Sequence, residues 1–208
     1  MSTRRRFLAA SALLPLAVAM PLARAQGRRP YEILPRPQPK AVPGKIEVVE
    51  FFSYGCGHCY EFHPQIKRWA ASAPAGISFR RVPVAWNPPW ANLARLYYTL
   101  EATGDLIRLD DAVFDTLHVK KLKMYDTRSM REWYVGQGGD AKKFMDAFNS
   151  FSVQNRLQIA AQLVEKMGVD SVPLLVVEGR YRILGDTLAD QLTNLNTLIA
   201  ELHQPNPK

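Results

Sequence analysis

The chain of 208 residues has two cysteines, and they stand three apart in Cys56-Gly57-His58-Cys59. At the start of a helix this spacing lets two sulfurs meet in a small disulfide ring and makes them unequal. Cys56 falls at the helix N-terminus, where free backbone N–H groups and the positive end of the dipole stabilise an anion. His58, when protonated, adds a second favourable charge. Such surroundings bring a thiol from a pKa of about 8.5 into the range of about 3.5–7.5. Cys59 lies on one helical stripe with Phe62, Ile66 and Trp69 and is expected to face the core. The chemistry is therefore thiol–disulfide exchange, with Cys56 as nucleophile and Cys59 as resolving thiol. A zinc knuckle needs two more ligands, of which His58 and His63 supply only some. A c-type haem site needs His directly after the second cysteine, and residue 60 is Tyr. A purely structural disulfide closing so short a loop would add little stability.

These residues need a strand before them and a helix behind them, and the sequence provides both. Ile46 to Phe52 is apolar on both faces and reads as a buried central strand, and a helix is expected from Gly57 to about Ala71. Ile77 to Val84 reads as a second strand, stopped by Asn87-Pro88-Pro89. Helical periodicity then runs for some eighty residues. It includes Trp90, Leu93, Ala94 and Tyr97, and then Leu106, Leu109, Val113 and Leu117. Met130, Trp133 and Tyr134, followed by Phe144, Phe148 and Phe151, mark two shorter helices. Leu157, Ala160, Ala161, Val164 and Met167 mark a longer one, stopped by Gly168. Strands return at Leu174–Val177 and Tyr181–Leu184 as a hairpin, and a last helix spans about Leu188 to Leu202. The fold class is α/β, with a helical block interrupting a mixed-sheet unit. The expected division is a lead-in at 26–44 with a short edge strand at Tyr31–Leu34, a first α/β part at 45–86, a helical insertion at 87–152 and a second α/β part at 153–208.

The net charge of +8 points to nucleic acid until its origin is examined. Arg4-Arg5-Arg6, an apolar run from Phe7 to Leu22 and then Ala23-Arg24-Ala25 form a cleavable secretory signal over residues 1–25. Thr3 to Leu8 also resembles a twin-arginine signal, so both the Sec and the twin-arginine routes stay open. Removing residues 1–25 deletes four arginines and no acid, which lowers the charge to +4. The remaining Arg28, Arg29, Arg80, Arg81, Lys120, Lys121 and Lys123 are scattered and read as solvated surface; no nucleic-acid partner is expected.

The stretch from Val48 to Phe62, VVEFFSYGCGHCYEF, resembles the DsbA family of periplasmic thiol:disulfide oxidoreductases. Ser171-Val172-Pro173 ahead of the Leu174–Leu184 hairpin resembles that family's second landmark. The resemblance spans nearly the whole chain after the signal and implies a thioredoxin fold with an inserted all-helical domain. It also implies that Pro173 is the cis-proline facing the disulfide, that Val172 pairs its backbone with an incoming peptide, and that Glu50 is the acid beneath the resolving cysteine. A carboxylate in so apolar a strand should have a raised pKa and could move the proton of Cys59. His58 matches the family's histidine. The sequence departs from the family at Gly57, where Pro is common, and at His63, where an acid is frequent. Pro64 instead follows the thioredoxin and isomerase pattern.

The resemblance implies a protein-disulfide oxidoreductase of the periplasm that donates the Cys56–Cys59 disulfide to reduced, newly exported proteins and is reoxidised by a DsbB-type membrane protein. It implies a monomer with no cofactor beyond its own disulfide and no metal. Tyr54, Tyr60, Trp86 and Trp90 are candidates for the flanks of a peptide groove. The potentials of the related classes, about −120 mV for DsbA, −180 mV for protein disulfide isomerase and −270 mV for thioredoxin, set the scale. A stabilised Cys56 thiolate favours the reduced protein and predicts a value toward the first two. The alternatives are a disulfide isomerase or reductase of the same fold, a glutathione-dependent transferase, or a non-catalytic carrier.

Overall fold

The computed structural model describes residues 29–203; the signal assigned to residues 1–25 lies outside them, as does Arg28. Five strands form one mixed sheet: β1 (Tyr31–Ile33), β2 (Ile46–Phe52), β3 (Ile77–Pro83), β4 (Leu174–Val177) and β5 (Tyr181–Ile183). They lie in the order β1-β5-β4-β2-β3, with β2 and β3 parallel and the other neighbours antiparallel. The parallel pair requires a crossover, provided by α1 (Gly57–Ser72). Between β3 and β4 come α2 (Pro88–Thr103), α3 (Leu106–His118), α4 (Thr127–Gly136), α5 (Ala141–Phe148) and α6 (Phe151–Lys166). The chain closes with α7 (Leu188–His203). This is the thioredoxin-like fold expected from the sequence.

Strand β2 is apolar on both faces because both are covered. Val48 packs with Phe62 and Ile66 of α1 and Leu195 and Leu198 of α7. Val49 and Phe51 join the larger core formed with the helices between β3 and β4. On α1, Cys59, Phe62, His63 and Ile66 are buried at i, i+3, i+4 and i+7, the stripe that seats the helix on the sheet. The β4–β5 hairpin turns through Glu178 (φ 55°) and Gly179 (φ 60°). A Cβ at Gly179 would lie 2.2 Å from the Gln38 carbonyl oxygen, so both backbone and space require glycine there.

One helix boundary differs from the sequence expectation. Phe151 does not extend the Phe144–Phe148 stripe: it opens α6 and is 85% exposed. Ser150 caps α6 by accepting the Val153 N–H at 3.2 Å, and this break turns Phe151 to solvent.

Candidate active site

Cys56 is the N-cap of α1. Its sulfur accepts the Cys59 backbone N–H at 3.4 Å and lies 3.5 Å from the Val172 carbonyl oxygen. The turn before it is shaped by Ser53, whose hydroxyl accepts the Gly55 N–H at 3.1 Å and whose carbonyl accepts the Cys56 N–H at 3.1 Å. Gly55 is needed because a Cβ there would stand 2.6 Å from Nε1 of Trp90 on α2. The Val172–Pro173 peptide bond is cis, and Val172 presents its carbonyl to Cys56.

The two thiols, both unbridged, differ sharply in environment. The Cys56 pKa is lowered to about 6: a hydrogen bond from the Cys59 side chain leads, backbone N–H groups of Cys59 and His58 and the His58 charge add to it, and partial burial opposes them. Cys59 is fully buried. Burial first, and then its bond to Cys56, push its pKa far above the ordinary thiol value. His58 is exposed, with Nδ1 3.4 Å from a Glu61 carboxylate oxygen.

Glu50 is completely buried, and burial raises its pKa against the opposing pull of Arg81. Here the reading of Arg80 and Arg81 as solvated surface is overturned. Arg81 sits directly opposite Glu50 in the β2–β3 register. Its Nε donates to Glu50 at 2.8 Å and its Nη1 to Asp110 of α3 at 2.7 Å, and its guanidinium lies 3.7 Å from the Phe52 ring centroid. Arg80 points to the opposite face of the sheet and donates to the buried Glu47 at 3.0 Å. Two acids in an apolar strand recruit two arginines from its neighbour, one on each face.

The groove candidates separate. Tyr54 is no groove flank: it is 1% exposed and donates its hydroxyl to Asp110 at 2.5 Å. Tyr60 is half-buried and stacks on His118 with ring centroids 5.0 Å apart. Trp86 is exposed and stacks on Trp90 at 5.7 Å. A cavity of about 490 Å³ beside Trp86 is lined by Val164 and Gly168 and reaches Asp170, two residues before Val172.

Two side chains of α3 are additions to the sequence reading. Asp110 joins Arg81 and Tyr54, and His118 donates from Nε2 to the Tyr54 carbonyl at 2.7 Å. His63, in the position flagged as a departure, is buried with Nε2 2.7 Å from Asp111 and 3.6 Å from Asp110. His63, Asp110 and Asp111 are close enough to suggest a cation site, but Arg81 and Lys67 already neutralise the two carboxylates.

The comparisons agree with this geometry. The family model described as "DSBA-like thioredoxin domain" matches residues 63–196. Thiol:disulfide interchange protein DsbA of Bordetella parapertussis is 38% identical, covering 96% of this chain and 97% of the relative. The protein of the same name from Azotobacter vinelandii is 42% identical over 74% of this chain and 72% of its own. The crystal structure of Pseudomonas aeruginosa DsbA superposes with a TM-score of 0.80 at 34% identity, covering 84% of this chain and 92% of that one. A cysteine pair at the cap of α1, a cis-proline loop against it and these relatives agree: the chain belongs to the DSBA-like thioredoxin domain family.

Proposed function

We propose that the chain is an exported dithiol oxidase, a thiol:disulfide interchange protein that donates the Cys56–Cys59 disulfide to newly translocated proteins. The observation that carries this is the asymmetry of the pair: Cys56 is half-buried with its pKa lowered to about 6, and Cys59 is fully buried and raised. A stabilised Cys56 thiolate favours the reduced protein, and that makes the disulfide a strong oxidant. The same preference for reduction weighs against a reductase. A glutathione-dependent transferase or a carrier gives no role to the pair.

In the reaction, a substrate thiolate attacks Cys56 Sγ of the disulfide, forming a mixed disulfide and expelling Cys59 as thiolate. Cys59 is a poor leaving group, so it needs a proton, and Glu50, buried in β2 with its pKa raised by that burial, is the donor in this reading. A second substrate thiolate then attacks the substrate sulfur of the mixed disulfide and releases Cys56 as the stabilised thiolate. The substrate loses two electrons and the protein's disulfide gains them. Val172 and cis-Pro173 would pair with the substrate backbone, with the exposed Trp86 at the flank. Gly57 leaves the cap uncrowded, since nothing lies within 4 Å of a Cβ built there.

The same reading takes residues 1–25 as the cleaved signal, the periplasm as the compartment and 87–152 as the insertion dividing 45–86 from 153–208. It takes a DsbB-type membrane protein as the reoxidant, the disulfide as the only redox group and the monomer as the working form. Among the described residues no helix is long and apolar enough to cross a membrane. The test is the equilibrium of the purified chain with glutathione, together with oxidation of a reduced, unfolded substrate. The oxidase reading expects a potential above about −200 mV and stoichiometric substrate oxidation; a potential below about −250 mV ends it. Cys56→Ser should abolish turnover, whereas a carrier would keep its binding.

A further inference from the structure

The segment joining α3 to α4 reads Val119-Lys120-Lys121-Leu122-Lys123-Met124-Tyr125 and carries three lysines and no acid. Val119 is 60%, Leu122 55% and Tyr125 38% exposed, and they are interspersed with the lysines along the chain. Among the described residues none of Lys120, Lys121 and Lys123 makes an ion pair. The acids nearby do little to offset them. Asp126 spends its carboxylate capping α4, accepting the Ser129 N–H at 3.0 Å. Over residues 115–128 two aspartates face three lysines and Arg128, a net +2.

The segment is a held structure. Met124 is buried in the core, the Leu122 N–H bonds the Thr116 carbonyl at 3.0 Å, and the Asn92 side chain bonds the Tyr125 carbonyl at 2.8 Å. Lys121 takes a left-handed φ of 56°, uncommon for so long a side chain. The helices that hold it also hold the redox turn. His118, which immediately precedes it, contacts Tyr54 and Tyr60, and Trp90, two residues before Asn92, packs on Gly55.

We propose that residues 119–125 dock the protein on an anionic phospholipid surface, with the lysines against headgroup phosphates and Val119, Leu122 and Tyr125 entering the headgroup layer. Isolated apolar side chains flanked by unpaired cations match a layer that offers anions and hydrocarbon at adjacent depths. Tyr125 brings an apolar ring with a polar tip, suited to that boundary. The purpose rests on the oxidase reading: docking here would hold the redox turn near a membrane partner. The binding itself does not depend on it.

The test uses the exported, processed protein, its N-terminus verified by mass, in sedimentation with vesicles of phosphatidylglycerol and phosphatidylcholine or of phosphatidylcholine alone. The anionic vesicles should bind it and the neutral ones should not, with binding falling steeply as salt is raised. Each lysine should contribute about fivefold, so Lys120→Gln/Lys121→Gln/Lys123→Gln should lose about 100-fold. Leu122→Ser should weaken binding further, and Lys142→Gln on α5 should change little. Absence of binding to anionic vesicles, as expected if the segment recognises an acidic protein, overturns the proposal. So does a triple variant that binds like wild type. Substrate oxidation in solution, measured alongside, should be unchanged by the triple substitution. Failure of that assay in the wild type would remove the oxidase reading and leave the vesicle result standing.

Discussion

Replacing Cys59 should raise the ionisation midpoint of Cys56 further than replacing His58. The structure ranks the two: the Cys59 side-chain hydrogen bond leads among the causes that lower the Cys56 pKa to about 6, and the His58 charge comes last. A hydrogen bond to a charged group contributes about 1.5–3 kcal/mol. A thiol is a weak donor and Cys56 is only partly buried, so the lower end applies. At 1.36 kcal/mol per pH unit, Cys59→Ala then moves the midpoint up by about one, to roughly 7. His58 is 78% exposed, and an exposed charge pair contributes about 0.2–1 kcal/mol, a displacement of about 0.7 at most. At pH 7 the thiolate fraction would fall from roughly nine-tenths to about half in Cys59→Ala, and much less in His58→Ala. The sign follows from the lowered folded value. The thiolate stabilises the reduced protein increasingly as pH rises from about 6 toward the ordinary 9.0, and that contribution is lost as pH falls through about 6. Alkylation rates of Cys56 across pH, or thiolate absorbance in the ultraviolet, read the midpoint directly. A larger displacement in His58→Ala than in Cys59→Ala would refute the ranking, and a wild-type midpoint near 8.5 would refute the activated thiolate altogether.

Arg81→Met should destabilise the fold by about 3–5 kcal/mol, because it leaves Glu50 and Asp110 without their shared cation. Urea denaturation should show the loss as a lowered midpoint with an unchanged slope, and a loss under about 1 kcal/mol would contradict the pairing. Glu50 has a raised folded pKa, so stability of the oxidised protein should decline as pH rises from about 4.5 through the folded value. Glu50→Gln should flatten that decline and slow the step in which Cys59 leaves, which stopped-flow mixing with a reduced peptide can follow. Gly179→Ala should lower the melting temperature, since its Cβ would collide with Gln38 at a backbone angle alanine disfavours. An unchanged melting temperature would mean that the hairpin can shift aside.

Much of the fold is legible because its signals are local. The apolar run of β2, the stripe of Cys59, Phe62 and Ile66, and the breaker at Asn87-Pro88-Pro89 each depend on neighbours in sequence. Arg80 and Arg81 were misread for the opposite reason. Side by side in sequence they look like a solvated basic pair, but strand alternation sends them to opposite faces, and their partners Glu47 and Glu50 lie on another strand. The pairing becomes visible only once the β2–β3 register is known. Asp110 and His118 are hidden further still, because they reach Tyr54, two residues before Cys56, from α3, 56 and 64 residues along the chain. Phe151 shows the limit of periodicity: its spacing continues one stripe, and a single capping serine starts another helix beneath it.

Helix α3 grips Tyr54 at both ends, by its hydroxyl through Asp110 and by its carbonyl through His118, and His118 also stacks on Tyr60 beyond the second cysteine. Residues 56–59 are thus bracketed by side chains belonging to a different part of the chain. With these contacts, the turn and α3 should open together, as a single cooperative unit in hydrogen exchange. Excising the helices between β3 and β4 would therefore cut the mooring of the Cys56–Cys59 turn along with them.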